Sequence, residues 1–332
     1  MTNSLNWRPS ASIDCLIKRN QILRQIRDYF SRHNVLEVET PTLSPSTVTD
    51  LHLEAMETLH TNPLSVKKTH LYLQTSPEYY MKRLLCAGAP SIFQIVKCFR
   101  DDEVGRYHNP EFTLLEWYRL SFSMESLIED VDSILRLVLD TPHCEKVSYR
   151  ELFIKHLDID LKCVSDEKIV SICNDLGYEN LVPTHFSNTL SIVEKDTLLQ
   201  LLFCEKIETQ IGTEKPIVVT HFPASQASLA KLSEADPSVS QRFEFYYKGV
   251  ELANGFEELS EESEQRVRFN LDNSARVQVG LAPKPIDEKF LNALKEGLPN
   301  CAGVALGIDR LLMLALDKKQ IREVISFDFG AL

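Results

Sequence analysis

From Phe93 to Tyr118 the chain reads FQIVKCFRDDEVGRYHNPEFTLLEWY, and several side chains there are of kinds that do chemistry. Two runs dense in β-branched and aromatic residues, Ile92 to Phe99 and Phe112 to Tyr118, read as strands joined by a charged loop. Side chains alternate across a strand, so Phe112, Glu116 and Tyr118 share one face while Thr113, Leu115 and Trp117 take the other. Arg100 ends the incoming strand, and His108 and Asn109 sit in the loop. Together they form a floor for a flat heterocycle with an anionic group at one end and a small cationic group at the other.

Three further features point to a nucleoside triphosphate. The guanidinium fork of Arg100 suits phosphate oxygens. Glu251 and Glu258 flank Asn254-Gly255-Phe256, and a bulge at Gly255 would bring both carboxylates together as hard ligands for Mg²⁺ on phosphates. Arg310 follows Gly307 at a strand-to-helix corner, where a glycine permits close approach to a ligand. Each feature alone also fits a plainer reading. Arg100 beside Asp101 and Asp102 fits a surface ion pair, the two glutamates fit a solvated face, Gly307 fits a turn, and Phe112 fits the core. No GxxxxGK[ST] loop and no strand-to-helix GxGxxG occurs, so phosphate binding would use other devices.

These residues need elements to hold them. Ser12 caps a helix expected from about Ile13 to His33, with Asn34 as its stop, and Val35 to Pro41 alternates like a strand. Residues 47–68 read as polar and irregular. Leu71 to Gln74 reads as a short strand before Thr75-Ser76-Pro77-Glu78, where Ser76 caps a helix running to Cys86. A helix follows from Met124 to about Leu139. About 143–212 reads as a helical insertion without a chemical motif. Strands are expected at Ile217 to Phe222, Arg242 to Tyr247, Val250 to Asn254, Cys301 to Leu306 and Val324 to Phe329, with helices from about Glu261 to Val279 and after Gly307. Lys248-Gly249 marks a hairpin. Hairpins and long loops outnumber β-α-β units, so the class is α+β, a mostly antiparallel sheet flanked by helices.

Bulk properties bound the rest. A chain of 332 residues that is 43% hydrophobic supports a sizeable core, read here as a single catalytic domain over 1–332. A net charge of −12 disfavours broad nucleic-acid binding without excluding a local basic cleft. Eight cysteines without a CxxC pair read as free thiols. With no apolar leader and no apolar run of membrane length, a cytoplasmic protein is expected.

Five segments, in order, resemble the catalytic domain of class II aminoacyl-tRNA synthetases, specifically lysyl-tRNA synthetase. Val35 to Pro41 is similar to the first motif of that family, with its interface proline at Pro41. Phe99-Arg100-Asp101-Asp102 through His108-Asn109-Pro110-Glu111-Phe112-Thr113 is similar to the second, and Gly303 through Gly307-Ile308-Asp309-Arg310 to the third. Thr75 to Glu78 and Glu251 to Glu258 match two segments of the lysine branch. The resemblance implies that Arg100 holds the α-phosphate of ATP, that Phe112 stacks under adenine, and that Arg310 lies over its other face near the γ-phosphate. Asp101, Asp102, His108, Asn109, Leu252 and Gly307 would complete the ATP site. Glu251 and Glu258 would bind Mg²⁺. Glu78, Tyr118 and Glu258 would take the ε-ammonium of the amino acid, with Ser76, Pro77, Glu116, Asn254, Phe256 and Ala305 lining its pocket. A homodimer through the first-motif helix and the strand near Pro41 is implied as well.

Three departures from tRNA-charging members redirect the expectation. The first-motif helix begins near residue 13, which leaves no room for an anticodon-reading OB-fold. The third motif reads GVALG, placing Ala305 where lysyl-tRNA synthetases have glycine, and one methyl there shifts discrimination by about 1–3 kcal/mol. Asp102 stands where the lysine branch has glutamate, which leaves the adenine amino group to a bridging water or to Glu103. These features resemble the short paralogous branch that activates (R)-β-lysine with ATP and transfers it to a lysine of elongation factor P. A truncated lysyl-tRNA synthetase and an inactive regulatory paralogue are the competing expectations. The first would act on tRNA, a partner that so acidic a chain disfavours; the second is disfavoured because Arg100, Glu251, Glu258 and Arg310 are all present.

Overall fold

The computed structural model describes residues 7–64, 67–101 and 103–332, which fall into two compact units, 1–140 with 258–332 and 141–257. In the first unit, α1 (Ile13–Arg32) starts where the Ser12 hydroxyl accepts from the Cys15 amide, and the chain turns out of it at Asn34 with φ 55°. Its buried face carries Ile26 and Phe30. Phe30 stacks on Phe93 at 4.4 Å and meets Trp117 edge-on. The strand expected over Val35 to Pro41 is shorter: only β1 (Leu36–Glu37) pairs, parallel to the later strand at Ile92. The prolines and exposed side chains that follow do not sustain a ladder.

Residues 47–68 are not wholly irregular. The strands β2 (Leu43–Ser44), β3 (Glu57–Thr61) and β4 (Lys68–Leu73) form a small antiparallel sheet in the order β2-β4-β3. Because β3 is exposed along its length, it has no apolar alternation to reveal it. The helix α2 (Glu78–Cys86) follows, then β5 (Ile92–Phe99), β6 (Glu111–Leu120) and α3 (Met124–Leu139), which Ser123 caps. β5 and β6 pair antiparallel from Ile92–Tyr118 to Phe99–Glu111.

The second unit opens with a strand, β7 (Glu145–Ser148), inside the segment expected to be helical. Then come α4 (Tyr149–Leu157), α5 (Asp166–Asp175) and α6 (Ile192–Leu202), the first and last started by capping boxes at Ser148 and Ser191. Three more strands, β8 (Ile217–Thr220), β9 (Arg242–Tyr247) and β10 (Val250–Glu257), pair in the order β10-β9-β8-β7. Lys248 and Gly249 both have positive φ, as a tight hairpin turn requires. The bulge expected at Gly255 lies elsewhere: the register shifts between Glu251 and Ala253. Gly255 instead lies under the ring of its cross-strand partner Phe243, where any Cβ would overlap that ring.

The chain returns to the first unit with α7 (Glu262–Gln278), α8 (Glu288–Gly297), β11 (Cys301–Gly307) and α9 (Ile308–Ala315). β11 pairs antiparallel with β6, which places Gly303 beside Tyr118, Ala305 beside Glu116 and Gly307 beside Leu114. The first unit's strands therefore run β1-β5-β6-β11, with β6 between two partners. Val324 to Phe329 forms no strand. It is tied instead to 10–11 through the Ala11 amide on the Ile325 carbonyl and the Ser10 amide on the Ser326 carbonyl. All eight cysteines are free thiols. Among the described residues, no helix is long and apolar enough to cross a membrane.

One polar knot joins α1, β6 and α9. The Asp309 carboxylate accepts from Arg19 Nη1 at 2.5 Å and from the Thr113 amide at 2.7 Å, while Arg19 Nη2 donates to the Thr113 hydroxyl at 2.9 Å. Asp309 is 2% exposed and lies in the first turn of its helix, where negative charge is favoured. Removing the cation alone would strand a buried carboxylate. Arg19→Met should therefore lower the unfolding free energy by about 3–5 kcal/mol in urea titrations. A loss below about 1 kcal/mol would mean that Asp309 needs no cation.

Candidate active site

Strand β6 acts as a ruler for the site. Phe112, Glu116 and Tyr118 leave it on one face, about 14 Å separating the first two positions at about 3.4 Å per residue. At the Phe112 end the Arg100 guanidinium lies over the ring, 5.0 Å from its centroid. Arg100 Nη1 donates to Glu103 at 2.8 Å, and its Nε is buried without a hydrogen-bond partner among the described residues. A buried, unsatisfied guanidinium N–H fits an oxyanion. Arg310 leaves the first turn of α9, its Nη2 at 2.6 Å from His108 Nε2 and its Nε donating to the Tyr107 carbonyl at 3.3 Å. His108 Nε2 also lies 4.0 Å from Glu103. Phe112, Arg100, Glu103, His108 and Arg310 thus form one continuous cluster.

Other residues expected here have different surroundings. Asn109 is buried, donating to the Glu111 carbonyl at 2.6 Å and accepting from the Phe329 amide at 3.0 Å, which fixes the loop. The Asp101 amide donates to the Glu54 carbonyl at 3.0 Å. Asp102 lies outside the described residues. Gly307 has φ −72°, and a Cβ there would come no nearer than 3.6 Å to Arg310, so the protein itself makes no demand for glycine at this corner.

The Glu116 end is a buried polar pocket. Glu116 is 2% exposed and accepts from the Tyr118 hydroxyl and the Ser76 hydroxyl, each at 2.7 Å. The Ser76 hydroxyl also accepts from the Glu78 amide at 3.0 Å, but α2 starts at Glu78 with Pro77 in the cap position, so Ser76 is not the cap expected of it and its hydroxyl serves the turn before the helix. Lys82, fully buried one turn after Glu78, lies 2.6 Å from Glu78 Oε1 and 2.6 Å from Glu258 Oε2. Burial, with the Glu78 charge adding to it, pushes the Glu116 carboxyl up to about 8. Burial also pushes Glu258 up to about 8, with Lys82 pulling against it. For Lys82, burial would lower the ammonium, and Glu258 and Glu78 more than reverse that. Burial, then Glu116, raises Tyr118. With Glu116 and Glu258 raised to about 8 beside one internal ammonium, both lean toward their neutral forms, and a second cation entering here would draw them back to carboxylates.

The first unit thus gathers Ser76, Pro77, Glu78, Glu116, Tyr118, Glu258 and Ala305 at one end of β6 and Arg100, His108, Phe112 and Arg310 at the other. Glu251, Leu252, Asn254 and Phe256 belong to β10 of the second unit. There Asn254 pairs across from Glu244 and Phe256 across from Arg242, and the Asn254 side-chain oxygen is buried without a hydrogen-bond partner among the described residues. No group of three or more His, Cys, Asp or Glu side chains among the described residues is arranged to hold a metal ion. Sequence reading missed Lys82 and the Arg100–Glu103 pair. A lysine four residues after Glu78 on a helix was the available signal for the first.

The chain matches the family model of tRNA synthetases class II (D, K and N) over residues 2–329. It is 51% identical over 327 residues, 98% of each chain, to the elongation factor P–(R)-β-lysine ligase of Proteus mirabilis strain HI4320. It is 49% identical, again over 98% of each chain, to the protein of that name from Photorhabdus laumondii.

Gly303 packs against this pocket. A Cβ there would overlap the Tyr118 ring and stand 2.5 Å from Glu258 Oε1. Gly303→Ala should therefore cost about 1–3 kcal/mol of stability by overpacking, measured by urea unfolding. A neutral substitution would show slack around Tyr118 and Glu258.

Proposed function

The chain belongs to the class II tRNA synthetase family, and we propose that it activates (R)-β-lysine with ATP and transfers it to a lysine of elongation factor P. The observation that carries this reading is the pairing, along one strand, of a guanidinium cluster over Phe112 with a buried, carboxylate-rich pocket at Glu116 and Tyr118. The nearly full-length similarity to two enzymes of that name supports the choice of amino acid and acceptor.

In the first step the carboxylate of β-lysine attacks the α-phosphorus of ATP, forming the mixed anhydride as pyrophosphate leaves. A carboxylate nucleophile needs no general base, so positioning and charge neutralisation do the work. We assign Arg100 to the α-phosphate, Phe112 to adenine and Arg310 to the distal phosphates. Glu78, Tyr118 and Glu258 are assigned to the ε-ammonium, with Glu116 and Ser76 setting the pocket. We assign Glu251 and Glu258 to hold the Mg²⁺ that ordinarily accompanies ATP in this chemistry, which would supply neutralisation of phosphate charge. In the second step a deprotonated amine of the acceptor attacks the anhydride carbonyl, forming an amide as AMP leaves. A free lysine has a pKa of about 10.4, so the acceptor amine sheds its proton before attack.

A homodimer fits the exposed apolar residues Ile13 and Ile17 on α1, Leu36 on β1 and Leu43 on β2. A cytoplasmic setting fits a translation factor as acceptor.

Incubation with ATP, (R)-β-lysine and purified elongation factor P, read by intact mass, should show the factor heavier by one β-lysyl group. Arg100→Ala should remain folded and give neither this product nor ATP–pyrophosphate exchange. An unmodified factor beside tRNA that accepts radiolabelled lysine would overturn the proposal.

Ala305 stands opposite Glu116 in the β11–β6 ladder. Removing its methyl enlarges the space beside the pocket, so Ala305→Gly should shift the ratio of kcat/KM for the β- and α-isomers of lysine toward α-lysine by about tenfold. An unchanged ratio would move isomer selection elsewhere.

A further inference from the structure

Lys82 is a charged side chain in the pocket to which the proposed reaction gives no task. Its side chain is 0% exposed, and its Nζ lies 2.6 Å from one oxygen of Glu78 and 2.6 Å from one oxygen of Glu258. Glu78 opens α2 and Glu258 lies where the chain re-enters the first unit, so the ammonium clasps two distant parts of the sequence. Both oxygens of the third carboxylate, Glu116, already accept hydroxyl hydrogens from Ser76 and Tyr118.

An ammonium is a compact charge on a flexible stem with three donors; Lys82 donates one to Glu78 Oε1 and holds its charge 2.6 Å from Glu258 Oε2. Without it, Glu78 and Glu258 would repel each other out of water, and one of them would turn away or take a proton. Either change removes a partner that an incoming ammonium needs. With Lys82 in place, Oε1 of Glu78 and Oε2 of Glu258 both face its ammonium. Two carboxylates then share one ammonium, and a second cation can complete the balance.

We propose that Lys82 is a positioning residue, a built-in ammonium that holds Glu78 and Glu258 apart and aimed so that the pocket accepts one further ammonium, that of the substrate. This inference rests on the proposed activation of β-lysine and deepens it. Lys82 touches no reacting atom. Its loss should weaken amino-acid binding and spare both the ATP site and the chemical step.

The test is ATP–pyrophosphate exchange with Lys82→Ala. KM for β-lysine should rise by about tenfold or more, with KM for ATP unchanged and kcat within about threefold of wild type. The truncation leaves a space shaped for an alkylammonium, so added n-propylammonium should restore KM and n-propanol should not. Where Lys82→Ala does not fold, Lys82→Gln keeps the stem without the charge and should show the same split between KM and kcat. An unchanged KM for β-lysine, or equal rescue by the alcohol, would reduce Lys82 to packing and overturn the inference. A wild type that exchanges beside such a variant refutes this inference alone. A wild type that exchanges with no isomer of lysine refutes the functional reading, and this inference with it.

Discussion

Carboxylates taken out of water repel one another and favour protonation, and the first unit holds Glu78, Glu116 and Glu258 around one pocket. Much of the local architecture answers that constraint. The turn before α2 supplies the Ser76 hydroxyl to Glu116, and the same oxygen accepts from the Glu78 amide. The alternation of β6 brings Tyr118 to the same face, where its hydroxyl reaches the other Glu116 oxygen. The first full turn of α2 delivers Lys82 to Glu78, and Gly303 of β11 leaves the space that Tyr118 and Glu258 fill. What remains uncompensated is the attraction that a substrate ammonium would feel.

The other end of β6 depends on a different device. Arg310 reaches its place because Asp309, one residue earlier, is anchored to the Thr113 amide and to Arg19. Thr113 is the neighbour of Phe112, so the start of α9 is registered directly against the strand that carries the aromatic ring. The same strand therefore sets the position of both ends, and the distance between them follows from strand geometry rather than from loops.

Much of this was legible in the sequence because the signals were local. Strand parity placed Phe112, Glu116 and Tyr118 on one face, and the cap at Ser12 began a helix. The failures share a cause, which is that long-range partners decided them. Strand β3 is exposed on every residue and takes its conformation from β4. Val324 to Phe329 looks like a strand, yet its backbone hydrogen bonds go to 10–11 instead of to a ladder. Gly255 read as a bulge because a glycine inside a strand so often marks one; here it makes room for the ring of Phe243. Lys82 was passed over because a lysine on a helix is ordinarily solvated, and only the arrival of Glu258 from far along the chain makes it a buried ion-pair partner.

A chain with a net charge of −12 has no general positive field to gather a polyphosphate. The structure holds its arginines in place by near neighbours: Glu103 steadies Arg100, and His108 with the Tyr107 carbonyl steadies Arg310. On the proposed reading, a phosphate oxygen entering here exchanges one acceptor for another at guanidinium groups already aimed. Little reorganisation is then needed at the moment of binding. The cationic end works by the same rule with the signs reversed, since Lys82 keeps its carboxylates aimed before the substrate ammonium arrives. Both ends thus replace a broad field with a local counter-ion, which lets one small unit hold strongly opposed charges on a single strand face without either site cancelling the other.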